Sequence, residues 1–124
     1  MTPVDRSVLT PILQKVEKPG RYCGGEFGIP VKDPALAKVS VALTYPDTYE
    51  LGMSNQGLRI LYDIVNRRQD MFADRVFLPW PDFAREIKSA GLPLYSLDHF
   101  LAVKSFDVWG FNTAHELHYT NLLF

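Results

Sequence analysis

The clearest alternation of apolar and polar positions lies in "KVSVALTYP", residues 38–46, where Val39, Val41 and Leu43 alternate with Ser40 and Ala42. That period of two predicts a strand, and the small residues on its second face suit a central parallel strand under close cover. From Ser54 to Arg68 the period changes. Leu58, Leu61, Tyr62 and Val65 follow the spacing of a helical face, and Ser54 fits the N-cap. Arg59, Asp63 and Arg67 fall on another face at spacings that permit pairing, and Arg67-Arg68 complement the dipole at the helix end. "RVFLPWP" (75–81) predicts a second strand ended by prolines, and "PDFAREIKSAG" (81–91) a helix with Phe83, Ala84 and Ile87 on one side. "LPLYSLD" (92–98) predicts a brief edge segment, "SFDVWGFNT" (105–113) a third strand with Trp109 in the core, and "AHELHYTNLLF" (114–124) a last helix. Near the start, Thr10 and Pro11 predict the cap and first residue of a short helix over 11–17. Glycines and prolines break up 21–37.

The order strand, helix, strand, helix, strand, helix predicts an α/β fold: a parallel sheet with helices on both faces. Residues 1–37 form an N-terminal helix and Gly/Pro-rich arm, and 38–124 a partial α/β domain. Three strands are few for this class, so the pattern predicts part of a longer protein, cut inside or just after its third βα unit. The open sheet edge would then be covered by the arm or by a second copy in a homodimer.

The 124 residues suffice for one cored domain, and 47% hydrophobic content is globular. Thirteen Lys plus Arg against fourteen Asp plus Glu argue against a nucleic-acid module. The single cysteine, Cys23, excludes an internal disulfide and cannot alone hold zinc or a cluster; no base stands near it in sequence to make it catalytic. The N-terminus lacks a signal-peptide h-region, and no apolar run approaches membrane-spanning length, so a cytoplasmic, non-membrane protein is expected.

The candidate chemistry sits in "TYPDTYELGMSNQGLRIL" (44–61), where strand becomes turn and then helix. Gly52 and Gly57 have Walker A spacing, but Leu58 and Arg59 stand where that loop needs Lys and Ser/Thr. The G-x-G-x-x-G dinucleotide fingerprint is absent too. Asp47 and Glu50, at the C-terminal end of the first strand, are candidates for acid–base work, with Asp47 as a plain turn former the competing reading. In "HELH", His115 and His118 are three apart with no third ligand evident, so no metal is expected; they read as ordinary surface histidines, with the lining of a pocket as the alternative. His99 reads as a loop residue beside Asp98, and Trp80 as core, with a pocket wall as its alternative.

"KPGRYCGGEFG" (18–28), "YPDTYELGMSNQGLRILYDIVNRR" (45–68), "RVFLPWPDF" (75–83), "GLPLYSLD" (91–98) and "FDVWGFNTAHELHYTNLL" (106–123) together resemble the N-terminal region of a family of large bacterial radical SAM proteins, in which a cobalamin-binding-like domain precedes an iron–sulfur barrel. The resemblance implies a flavodoxin-like fold with strand order 2-1-3. It implies cobalamin as the ligand, with S-adenosylmethionine and a [4Fe–4S] cluster in the downstream radical SAM barrel, which would be the partner. The C-x-x-x-C-x-x-C cluster motif does not occur in this chain. Asp47-x-Tyr49-x-x-Gly52 matches the D-x-H-x-x-G of cobalamin domains, with Tyr49 in place of the histidine cobalt ligand. A corrin here would therefore bind without a lower histidine. Asn112 and Thr113 stand where the family carries Ser-Leu, and the glycine pair that admits the nucleotide tail is missing. The cofactor-binding set implied is Asp47, Tyr49, Glu50, Gly52, Ser54, Asn112, Thr113 and His115, within walls formed by 45–54, 79–82 and 111–116. The alternatives are a structural module that has lost the cofactor, and a stand-alone enzyme using Asp47 and Glu50.

Overall fold

A computed structural model describes residues 2–26, 28–29 and 32–123. The sheet has three parallel strands in the order β2-β1-β3: β1 is Val39–Tyr45, β2 Met71–Phe77 and β3 Val108–Phe111. This is the 2-1-3 arrangement of a truncated flavodoxin-like α/β fold. The helices are α1 (Arg6–Leu13), α2 (Tyr49–Met53), α3 (Gln56–Arg67), α4 (Pro81–Ser89) and α5 (His118–Leu123).

Alternation along β1 explains the layering. Val41, Leu43 and Tyr45 face α3, where they pack with Leu58, Tyr62 and Ala73. Ala42 faces the opposite side with Val76 and Val103. A further cluster joins α1 to α4 through Leu9, Ile12, Phe83 and Ile87, and draws in Val4, Tyr22, Tyr95 and Phe100. Residues from the arm and from the α/β part thus share one core, and Val4 and Ala102 tie the N-terminus to the 100–102 segment by backbone hydrogen bonds.

Several boundaries differ from the sequence pattern. The first helix is 6–13, not 11–17, because Asp5 caps it by accepting from the Ser7 N–H at 2.8 Å; Pro11 lies inside it. The second strand begins four residues before Arg75. Asp74 disguised it: a carboxylate in mid-strand, fully buried, which reads as a loop until its partners are known. The cap of α3 is Asn55, whose Oδ1 accepts from the Leu58 N–H at 2.9 Å, while Ser54 ends α2. Leu61 is 47% exposed and so leaves the predicted core face. The third strand is only Val108–Phe111, and Trp109, like Trp80, is half exposed rather than in the core. The last helix starts at His118, leaving His115 on the preceding turn; its expected last residue, Phe124, lies outside the described residues, as do Phe27, Pro30 and Val31 of the arm. The 92–98 segment makes a single antiparallel bridge, Tyr95 to Ala102. No helix among the described residues is long and apolar enough to cross a membrane.

Candidate functional site

Strand order places the β1 and β3 exits side by side at the C-terminal edge of the sheet, where α/β folds hold ligands. The β1 exit turns sharply. The Asp47 N–H donates to Tyr45 O at 2.7 Å, and Asp47 O accepts from the Leu78 N–H at 2.8 Å, which pins the β2 exit to the same turn. Asp47 Oδ1 accepts from the Thr48 N–H at 2.8 Å. Its Oδ2 faces another way, toward His118 Nε2 at 3.4 Å.

Of the next four residues of the predicted set, Tyr49, Glu50 and Gly52 point to the arm and to β2, and Ser54 bonds back within its own helix. Tyr49 donates its hydroxyl to Glu26 and stands edge-on to Phe77 at 5.8 Å. Glu50 pairs with Arg21 at 2.7 Å, in a bridge open to solvent on the Glu50 side. The Glu50 carboxylate falls below its usual range through the hydrogen bond from Arg21. Gly52 is buried, and a Cβ there would lie 2.1 Å from the Phe77 ring. Ser54 Oγ donates to Glu50 O at 2.9 Å. A cavity of about 30 Å³ is all that remains between Tyr49, Phe77, Tyr22 and Tyr95.

On the β3 side, the Asn112 N–H extends the ladder to Thr44 O at 2.8 Å, and its side chain donates to Asn55 Oδ1 at 3.0 Å. Thr113 and His115 are exposed. The His115 ring lies 3.9 Å from that of His118. His118, unlike His115, is not a surface histidine: it is fully buried, with Tyr45 edge-on at 4.7 Å. Its Nδ1 accepts from the Ala114 N–H at 3.2 Å, so the ring proton sits on Nε2. Among the described residues, that Nε2 is the buried side-chain polar atom left without a hydrogen-bond partner. Asn121 closes the turn by donating to Pro46 O at 3.0 Å. The structure thus brings Asp47 together with His115 and adds His118, which the predicted set lacked. Its neighbour lies 71 positions away, and only the 2-1-3 order could have announced the meeting.

A second polar cluster straddles β2, with Arg75 on the α3 side of the sheet and Asp74 on the other. Asp74 accepts from the Arg75, Asp98 and His99 N–H groups and meets His99 Nδ1 at 3.1 Å. Arg75 reaches Asp98 at 3.0 Å, lies over the Tyr62 ring at 4.6 Å, and contacts Met53 Sδ. Burial, then the nearby Asp74 charge, push the Asp98 carboxyl up to about 6. Burial raises Asp74 as well, but its hydrogen bonds from His99 and its other neighbours hold it below its ordinary value. The Asp74 hydrogen bond in turn raises His99. An open groove of about 710 Å³ borders Arg75, Glu26, Tyr62 and Arg59. Every member of the cluster has protein partners, so its chemistry is that of a clamp holding the 96–100 turn to β2.

A family model described as the N-terminal region of radical SAM proteins matches residues 57–124. The match takes in α3, β2, α4, β3 and both histidines of the edge, and begins just after the 46–54 turn. No curated protein and no solved structure matches the chain. With more than half its length matched, and with the parallel 2-1-3 sheet in place, the chain belongs to the family of radical SAM protein N-terminal regions.

Proposed function

We propose that this chain is a docking module of a radical SAM protein, with its D-x-Y-x-x-G turn closed to a corrin and its β3 edge seated against the iron–sulfur barrel. The observation that carries the docking reading is the exposed apolar strip of β3: Val108 is 48%, Trp109 49% and Phe111 39% exposed. Soluble domains rarely leave a contiguous strip of that kind on a sheet edge without a partner. Leu117, Tyr119 and Leu122 extend the apolar character onto the segment that follows β3.

The residues of the turn do not fit a corrin. Phe77 fills the space beside Gly52, Tyr49 is engaged by Glu26, and the cavity between them is water-sized. Nor can these residues hold a [4Fe–4S] cluster, since Cys23 is the sole thiol. S-adenosylmethionine and cluster chemistry belong, in this reading, to the downstream barrel. The stand-alone enzyme is not favoured: the Glu50 carboxylate goes to Arg21, and that of Asp47 to Thr48 and His118, so they do not converge.

Titration with hydroxocobalamin tests the closed turn. The expected result is an unshifted visible spectrum and separate elution of corrin and protein on gel filtration. A stoichiometric, co-eluting corrin overturns it. Docking is read from Trp109 in a Trp80→Phe background: on adding the barrel, Trp109 emission should shift to the blue and lose access to acrylamide. Unchanged quenching with the barrel in excess counts against docking.

A further inference from the structure

The edge of the sheet carries a constellation that docking does not use. We infer that Asp47, His115 and His118 form a binding site for a first-row divalent transition ion of the zinc class. Candidate ligand atoms of the three residues lie within 4.8 Å of one another. Two imidazoles and a carboxylate suit zinc, cobalt or iron(II), whereas calcium and magnesium prefer all-oxygen shells.

Proximity alone would not carry the proposal; the state of His118 does. It is fully buried, its Nε2 has no hydrogen-bond partner among the described residues, and that atom lies 3.4 Å from Asp47 Oδ2. A buried polar atom without a partner carries an unmet desolvation cost that a bound ion would relieve. Metal–ligand bonds of about 2.0–2.2 Å in a tetrahedron set ligands roughly 3.3–3.5 Å apart. The Asp47–His118 pair already has that separation, so only His115 need close in. It stands exposed on the turn before α5, free to do so, and its exposure leaves outer positions for water or substrate.

Binding demands a change of tautomer. Nε2 now carries the ring proton because Nδ1 accepts from Ala114. A metal on Nε2 displaces that proton to solvent, and Nδ1 takes one from water, so the ring stays neutral. The Ala114 N–H must then turn away from Nδ1. Ala114 precedes His115 on the same turn, so both adjustments fall on one short segment.

The test uses zinc and cobalt(II) ions alone, on the whole chain. One zinc per chain is expected by calorimetry. Cobalt should give visible bands of a nitrogen–oxygen set without a thiolate charge-transfer band, and Cys23→Ser should bind equally well. On zinc addition, ¹⁵N-resolved imidazole spectra should show His118 passing from the Nε2–H to the Nδ1–H form. His115→Ala, a surface change that leaves the fold intact, should weaken zinc at least tenfold while the unfolding midpoint in EDTA stays put. Asp47→Asn should weaken it similarly. The proposal is overturned if zinc does not bind, or if binding survives both substitutions undiminished.

Discussion

Gly52 has an ordinary backbone φ, unlike Gly24, Gly25, Gly28 and Gly91, so conformational freedom is not why a glycine stands there. Helix propensity would favour alanine in α2 by about 1 kcal/mol. The opposing term is the Phe77 ring, 2.1 Å from where a Cβ would sit. Phe77 cannot swing away without giving up its edge contact with Tyr49. Overpacking of this kind costs about 1–3 kcal/mol, so it outweighs propensity. Gly52→Ala should therefore lower stability by up to about 2 kcal/mol in urea unfolding. Phe77→Leu should recover much of that loss when the two changes are combined. A gain in stability from Gly52→Ala alone would mean that the turn has spare room, and would reopen the case for a ligand between Tyr49 and Phe77. From the sequence, Gly52 belongs to a ligand motif. Its actual neighbour is 25 positions away, and no local pattern links Gly52 to Phe77.

Elements were legible where their signals are local and lost where a distant partner decides. The alternation of Val39, Val41 and Leu43 is enough to find β1, and Phe83 with Ile87 enough to find α4. The start of β2 was hidden because Asp74 is affordable in a buried strand only once Arg75, Asp98 and His99 surround it. The end of α3 is likewise settled from outside: Lys32 Nζ donates to the carbonyls of Asn66, Arg68 and Met71, a cap supplied by the arm. The Asp74–Asp98–His99 clamp has a pH signature. The folded pKa of Asp98, about 6, lies above its ordinary 3.8, so between those values the native chain holds more protons than the unfolded one. Stability should then fall as pH rises from about 4 through 6. The raised value of His99 continues the trend: its contribution is complete below its ordinary 6.5 and is lost as pH climbs through the higher folded value. Urea midpoints taken across this range should decline for the native sequence. Asp98→Asn, though less stable overall for want of a charge opposite Arg75, should flatten the limb between 4 and 6. A native-sequence limb with the same slope as that of Asp98→Asn would show Asp98 to be ionised throughout.

For the whole molecule, the two long sides of the sheet are finished differently. β2 has seven residues, five of them buried in its middle, beneath α3 and the 96–100 turn. β3 has four residues and none is buried. Its register with β1 pairs Val41 with Val108 and Ala42 with Trp109, so Val108 lies on the α3 side of the sheet and Trp109 on the other. Both faces of the edge are therefore open, and a single helix laid on one side could not cover them. An occupant must either add backbone alongside β3 or wrap the edge, which suits a large body such as the barrel, or a second copy pairing edge to edge. Val108→Lys separates these from a merely tolerated exposure. Lysine blunts an edge strand against pairing without touching the core. At a half-exposed position its cost to the isolated chain should stay within about 0.5 kcal/mol. Its effect on association should be large: the blue shift of Trp109 on adding the barrel should vanish. Sedimentation of the native sequence alone reads the competing occupant, since a dimer that Val108→Lys dissolves would assign the edge to a second copy. If Val108→Lys leaves both barrel binding and self-association as they were, the apolar strip of β3 is not the contact, and the docking reading falls with it.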